Sequence, residues 1–294
     1  MIFCRSKISS FTVLLASSAF ALASCGSATE QSAAEPRPVQ ASIATRGLDA
    51  DRIGRALAEA SELENLRSLI VVRHGETLVE ERFNDGPSLD QPVNIKSASK
   101  SVLSAMVGIA IERGVLQGTD QPVLSVLEDQ SPADPDPRLG QVTVGNLLSM
   151  QAGLGRTSGD NYGRWVSSSN WVRHALSRPF TADPGGQMIY STGSSHLLSA
   201  MLTHASGRST HDLAQDWLGE PLGIDIPPWT QDPQGIYLGG NNMAMSPRAL
   251  ARFGELYRTG GVVDGERIIS EDWIKRSWTP RTVSPWSGEQ YGYG

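Results

Sequence analysis

Residues 97–111 read Ser-Ala-Ser-Lys-Ser-Val-Leu-Ser-Ala-Met-Val-Gly-Ile-Ala-Ile, an apolar stretch that carries a regular series of polar residues. Its apolar side chains surround most of a helix, which is typical of a helix that is buried on nearly all sides. Four polar side chains follow the spacing i, i+3, i+4 and i+7, so they form one stripe along the helix from its N-terminus. They are Ser97, Lys100, Ser101 and Ser104.

The spacing of Ser97 and Lys100 places both side chains on one face of the helix. A serine at a helix N-terminus lies near free backbone N–H groups and the positive end of the helix dipole, which favour an oxyanion on a bound carbonyl. A lysine one turn later reaches the same point, and burial lowers its pKa, so that part of it is a neutral amine that can accept the serine proton. The alternative is a capping serine and a lysine that extends to solvent. The apolar surroundings favour the catalytic interpretation.

Composition limits the class of protein. The chain has 294 residues, of which 39% are hydrophobic and 19% charged, as in a globular protein with an apolar core. Its formal charge of −6 argues against nucleic acid as a partner. The cysteines are Cys4 and Cys25, so neither a disulfide framework nor a catalytic cysteine is expected in the folded part. The five histidines show no metal-binding spacing, and no metal or cofactor is expected.

Residues 1–25 are predicted to be a lipoprotein-type signal peptide, with a basic start and an apolar run too short to span a membrane. The run ends in Leu22-Ala-Ser-Cys25, which is similar to the bacterial lipobox, in which the cysteine becomes the lipidated first residue. An ordinary signal peptide with a chance cysteine is the alternative. Residues 26–48 are rich in small and polar residues and are predicted to be a flexible linker. We expect a protein of the cell envelope, anchored by a lipid at Cys25 to a bacterial membrane and facing the periplasm.

The rest of the chain has the pattern of an α+β fold. A first helix capped by Asp49 or Asp51 precedes two apolar runs, 69–72 and 78–83, which predict a β-hairpin. Most of the remaining sequence is predicted to be helix or loop, with one further short strand near 266–269. The predicted helices lie at 97–113, 143–150, 168–177, 194–206, 210–218, 246–258 and 270–277.

So few strands make a poor sheet for several apolar helices to pack on. The last residues, Trp286–Gly294, resemble the approach to a further strand. We therefore expect the folded domain, 49–294, to be C-terminally truncated and to lack its last sheet strands.

Several stretches resemble one superfamily. The tetrad Ser97-x-x-Lys100, the segment 142–154 (VTVGNLLSMQAGL) and Met245-Ser-Pro247 are similar to serine β-lactamases and penicillin-binding proteins, whose first motif is Ser-x-x-Lys. The resemblance is nearest to class C β-lactamase-related serine hydrolases, in the branch of 6-aminohexanoate-dimer hydrolases or esterases. It implies an antiparallel sheet flanked by helices, a helical subdomain, and a small-molecule ester or amide as substrate.

By this resemblance Tyr190 is the general acid–base. It stands where the family has its second motif, Tyr-x-Asn, and a phenolate beside a lysine ammonium can take the nucleophile's proton and return it to the leaving group. Thr192 replaces the family's Asn, which helps to hold the substrate amide, so Thr192 and Gly193 are expected to bind substrate and the replacement argues against β-lactam turnover. A rival second motif, 168–170 (Ser-Ser-Asn), is explained more simply as a helix cap.

The third family motif, a Lys-Thr-Gly or His-x-Gly strand, does not follow Tyr190, in keeping with the expected truncation. We expect a serine hydrolase that forms an acyl-enzyme on Ser97 and hydrolyses a small ester or amide, with Lys100 tuning proton transfer. Two alternatives stay open. One is a lipoprotein of the same fold that binds or senses ligands, either without catalysis or by acylation alone; the other is a β-lactamase or DD-peptidase.

Overall fold

The structure is a computed structural model, and it describes residues 47–294. The predicted signal peptide, Cys25 and nearly all of the predicted linker lie outside the described residues. The α-helices are α1 (Ala50–Ser61), α2 (Ser99–Glu112), α3 (Leu124–Leu127), α4 (Val144–Leu148), α5 (Tyr162–Val166), α6 (Trp171–Leu176), α7 (Thr192–Ser206), α8 (Thr210–Ala214), α9 (Glu220–Leu222), α10 (Pro247–Arg258) and α11 (Glu271–Trp278). The strands are β1 (Ser68–Arg73), β2 (Glu76–Arg82), β3 (Val93–Asn94), β4 (Ala244–Met245), β5 (Val262–Val263), β6 (Glu266–Arg267), β7 (Thr282–Val283) and β8 (Gln290–Tyr291).

The predicted N-terminal helix and hairpin are both present. Asp49 is the N-cap of α1, and its carboxylate accepts the backbone N–H groups of Asp51 and Arg52. Strands β1 and β2 pair antiparallel around His74 and Gly75, whose φ values of 52° and 81° are those of a tight hairpin turn. The apolar face of α1 packs on the buried side chains of β2.

The strands form four separate antiparallel pairs, β1-β2, β3-β4, β5-β6 and β7-β8. The α+β class is confirmed, but within residues 47–294 the antiparallel sheet is divided into these two-stranded pairs. Every pair after the first has strands of two residues. The expectation for Trp286–Gly294 also needs correction, because Gln290–Tyr291 is itself a strand and pairs with Thr282–Val283. The turn between them closes through the Ser284 N–H, which donates to the Glu289 carbonyl at 2.8 Å.

Helices α2 and α7 form the centre of the core. Every residue from Val102 to Ala110 in α2 is buried, and so is every residue from Thr192 to Leu202 in α7. The regular part of α2 begins two residues later than predicted, because residues Lys96–Ala98 form a 3₁₀ turn that leads into it. The buried polar residue Ser104 continues the predicted stripe inside the core.

The remaining predicted helices are present with shifted ends. The predicted helix at 210–218 consists of α8 and a π-helical turn over Gln215–Gly219. In the part of the chain that the structure describes, no helix has both the length and the apolar character needed to cross a bilayer.

Candidate active site

Ser97 is exposed and lies in the 3₁₀ turn that precedes α2. The residue before it, Lys96, has a φ of +50°, a left-handed conformation that is strained for a side chain other than glycine. The Asn94 side chain supports this conformation by accepting the Lys96 N–H at 2.8 Å. Ser99 Oγ donates to the Lys96 carbonyl at 2.5 Å. The turn that presents Ser97 is therefore fixed on both sides.

Lys100 lies beneath Ser97 and is 3% exposed. Its Nζ donates to the Gly240 carbonyl at 2.6 Å and lies 3.4 Å from Ser97 Oγ. Burial lowers the pKa of Lys100 to about 8. A substantial fraction of neutral amine is thus present near pH 8, within reach of the Ser97 hydroxyl proton.

Tyr190 is half-buried and immediately precedes Ser191, the N-cap of α7. The Lys100 Nζ lies 4.9 Å from the centroid of its ring, on the ring face. The structure therefore brings together the three residues predicted to be catalytic, with the lysine amine next to both the serine and the tyrosine.

Thr192 and Gly193 are buried, and their contacts are with the loop at 157–158. Thr192 Oγ1 lies 3.0 Å from Ser158 Oγ, which also accepts the Thr192 N–H at 2.9 Å. Gly193 N–H donates to Thr157 Oγ1 at 2.8 Å. A Cβ at Gly193 would lie 2.8 Å from Thr157 Oγ1, so glycine is needed for this close packing. Their roles in substrate binding stay a prediction.

A loop carrying Gly239 and Gly240 supplies the carbonyl that holds Lys100. Gly240 has a φ of +77°, and a Cβ there would lie 2.6 Å from Lys100 Cγ. A Cβ at Gly239 would overlap the Ser195 carbonyl oxygen. Only glycine allows this loop to lie so close to both α2 and α7. Two adjacent glycines indicate only a turn, and a backbone carbonyl 140 positions from its lysine leaves no residue-type signal.

The rival second motif is a helix cap, as the sequence suggested. The Asn170 side chain accepts the Arg173 N–H at 2.8 Å at the start of α6, and Ser168 Oγ donates to the Trp165 carbonyl at 2.7 Å. Trp165 and Trp171 are packed in a small cluster with Leu238. The structure thus gives the 168–170 segment and these tryptophans structural roles.

A cavity of about 420 Å³ adjoins Tyr190. Its lining includes Ser158, the partner of Thr192, together with Trp286 and Tyr291. Trp286 makes an edge-to-face contact with the Tyr190 ring, at 6.3 Å between centroids. Sequence reasoning missed Trp286 as a residue of the site, because its place depends on the turn of the β7-β8 pair.

A family model described as Beta-lactamase matches residues 65–294. The chain belongs to the β-lactamase family of serine hydrolases. The matched range includes Ser97, Lys100 and Tyr190, and the resemblance stated from the sequence is confirmed.

Solved structures show the same fold. A protein of Bacteroides dorei assigned as a β-lactamase matches with a TM-score of 0.68 at 20% identity, over 83% of this chain and 78% of that one. A protein of Bacillus anthracis assigned as a 6-aminohexanoate-dimer hydrolase matches with a TM-score of 0.66 at 19% identity, over 81% of this chain and 66% of that one. EstCE1, a hydrolase with promiscuous acyltransferase activity, matches with a TM-score of 0.66 at 18% identity, over 87% of this chain and 83% of that one. At these identities the matches establish the fold alone, and they confirm the predicted β-lactamase/transpeptidase-like α+β class.

Proposed function

We propose that this member of the β-lactamase family forms an acyl-enzyme on Ser97 and hydrolyses a small-molecule ester or amide. One observation carries the proposal: a buried lysine amine lies 3.4 Å from the Ser97 hydroxyl, and burial lowers its pKa to about 8. An amine of this kind accepts a proton near physiological pH, which an exposed lysine does not.

In the proposed reaction, Ser97 Oγ attacks the substrate carbonyl carbon as its proton passes to the neutral amine of Lys100. The tetrahedral oxyanion accepts a hydrogen bond from the Ser97 backbone N–H. The Tyr190 hydroxyl donates its proton to the departing alcohol or amine and takes up the proton held by Lys100, which leaves an ester between Ser97 and the acyl group. Water then attacks this ester, its proton is taken up by the same groups, and Ser97 and a carboxylic acid are released.

The preference for esters and linear amides over β-lactams rests on Thr192. Its hydroxyl is engaged with Ser158 at 3.0 Å, whereas the family has an asparagine that can contact a substrate amide. The cavity beside Tyr190, about 420 Å³, is large enough for a small acyl or leaving group. One structural neighbour is named as a 6-aminohexanoate-dimer hydrolase and another as a hydrolase with acyltransferase activity, which agrees with this preference.

Intact-mass spectrometry after exposure to a fluorophosphonate probe tests the nucleophile. The full chain should gain the mass of one phosphonyl group, and Ser97→Ala should gain none while unfolding at the same temperature. Failure of the folded wild-type chain to react would refute the proposal. Acylation by p-nitrophenyl butyrate that persists without turnover would instead favour the acylation-only binding protein, and faster turnover of nitrocefin than of this ester would favour a β-lactamase.

We also propose that the protein is lipidated at Cys25 and held at a bacterial membrane, facing the periplasm. The lipobox-like end of the predicted signal peptide and the polar linker after it support this localisation. Globomycin blocks processing of lipoprotein signal peptides, so it should cause an unprocessed precursor to accumulate in cells. Unchanged processing in its presence would contradict the lipid anchor.

A further inference from the structure

A second buried polar group, the imidazole of His196, lies on α7 in contact with the loop that holds Lys100. His196 Nε2 lies 3.0 Å from Asp232 Oδ2, and both side chains are fully buried. The Gly239 N–H donates to His196 Nδ1 at 3.3 Å. The other carboxylate oxygen, Asp232 Oδ1, accepts the N–H groups of Gln234 and Ile236 at 2.8 and 2.9 Å.

These contacts fix where the proton lies on the imidazole. A backbone N–H can only donate, so His196 Nδ1, which faces Gly239, is the acceptor. The ring proton therefore lies on Nε2 and is donated to Asp232. Asp232 in turn accepts three hydrogen bonds, two of them from its own turn, and this keeps the carboxylate in one orientation.

The imidazole is connected to Lys100 through two adjacent residues. His196 holds the N–H of Gly239, and the next residue, Gly240, presents its carbonyl to Lys100 Nζ at 2.6 Å. Because the loop touches α2 and α7 at distances that exclude any Cβ, a shift of Gly239 moves the Gly240 carbonyl as well.

We propose that His196 and Asp232 are positioning residues, which hold the Gly239–Gly240 loop so that the Gly240 carbonyl keeps the Lys100 amine beside Ser97. The inference rests on the proposed function for its effect on rate. Its effect on the lysine amine is independent of any activity.

Asp232→Asn is the sharpest test. The amide oxygen of the new side chain stays with the two backbone donors, so its NH₂ group faces His196 and donates to Nε2. The ring proton must then move to Nδ1. Two hydrogen-bond donors, the imidazole Nδ1–H and the Gly239 N–H, then face each other and repel. We expect kcat for p-nitrophenyl butyrate to fall at least about tenfold with KM unchanged, because one buried hydrogen bond becomes a repulsion. Asp212→Asn, which changes an exposed carboxylate 3.9 Å from His211, is the matched control and should change neither constant.

Two substitutions of His196 separate positioning from simple packing. His196→Asn keeps an acceptor near the place of Nδ1, and His196→Gln keeps a donor near the place of Nε2 but no acceptor for Gly239. We expect the Asn variant to retain several-fold more kcat than the Gln variant at equal KM. Equal losses in the two, or losses that follow the unfolding temperature alone, would overturn the inference.

Nitrogen NMR of ¹⁵Nζ-labelled lysines provides the readout that needs no activity. The chain has four lysines, Lys7, Lys96, Lys100 and Lys275, so the Lys100 signal is identified by its loss in Lys100→Met. Asp232→Asn should move the Lys100 signal and leave that of Lys275 in place. An unmoved Lys100 signal overturns the inference even in an active enzyme. A moved signal supports it even where the fluorophosphonate test has refuted the proposed function.

Discussion

Lys100 and His196 are both basic side chains buried on neighbouring core helices, yet their surroundings differ. His196 has a carboxylate on one ring nitrogen and a backbone N–H on the other. Among the described residues Lys100 has no carboxylate within ion-pair distance; its partners are the Gly240 carbonyl and, at a longer distance, Ser97 Oγ. A buried cation without a counter-charge loses its proton readily, whereas a fully partnered imidazole keeps one orientation. The first group is suited to move protons and the second to hold a loop.

The largest expected effect comes from removing the lysine amine. Lys100→Met keeps an unbranched stem of four atoms in the buried side chain but removes the amine that lies 3.4 Å from Ser97 Oγ. We expect kcat/KM for p-nitrophenyl butyrate to fall about 10³-fold, within the range for the loss of a general base.

The matched control is Lys275→Met, which removes an exposed amine paired with Glu271 on α11. It should leave steady-state rates unchanged, because exposed ion pairs contribute little. If Lys100→Met retained more than a tenth of wild-type activity, Lys100 would not be the group that moves the proton, and the contrast between Lys100 and His196 would be lost.

The same lysine should make stability depend on pH. Its pKa is about 8 in the folded protein against an ordinary value of 10.5, so between these pH values the unfolded chain binds more protons than the folded one. The free energy of unfolding therefore rises with pH across that window, by on the order of 3 kcal/mol in total.

Denaturant titrations at pH 7.5 and 10 measure this rise. At each pH the free energy of unfolding of Lys100→Met is subtracted from that of the wild type, so that the contributions of the other titrating groups cancel. We expect the wild type to gain stability relative to the variant as the pH increases. A constant difference would show that Lys100 is charged and solvated in the folded protein.

The loop that joins the two buried bases offers a smaller and more local test. Gly235 and Gly240 both have positive φ values, 83° and 77°, but a Cβ at Gly235 meets nothing within 4 Å, whereas one at Gly240 meets Lys100 and Ser195 at 2.6 Å. Gly235→Ala should cost about 1 kcal/mol of stability for its backbone conformation alone. Gly240→Ala should cost about 2 kcal/mol more because of the clash, and should also lower kcat. Equal costs, measured by denaturant unfolding, would mean that the loop moves freely past Lys100.

Parts of this arrangement could be predicted from sequence because they are local. Ser97 and Lys100 are one helical turn apart, so the spacing alone places them together. The hairpin of β1 and β2 follows from two apolar runs with a His-Gly turn. In both cases neighbours in sequence determine the geometry.

Other parts depend on contacts between distant segments. The acceptor of Lys100 is a backbone carbonyl, which every residue type possesses, and Asp232 is 36 positions from the histidine that it orients. No spacing rule relates such pairs, and a histidine without a metal-binding pattern is predicted only to be a surface residue or a core residue with satisfied hydrogen bonds. Most of the short strands were missed for a related reason: strands of two residues carry no alternation pattern from which to predict them.

The smallest effect should come from the edge of the cavity, where neither buried base is involved. Trp286 and Trp278 are equally exposed, at 63%, but Trp286 lines the cavity beside Tyr190 and Trp278 does not. If the cavity takes the acyl chain, Trp286→Ala should raise KM for p-nitrophenyl hexanoate about threefold to tenfold and leave KM for the acetate ester unchanged, since only the longer chain reaches the indole. Trp278→Ala should change neither value.

The kcat for the acetate ester should stay at the wild-type level in both variants, because the Ser97–Lys100 contact does not involve the indole. A fall in that kcat with Trp286→Ala would show instead that the indole orients Tyr190, and the reactive region would then extend from Lys100 through Tyr190 to the β7-β8 turn.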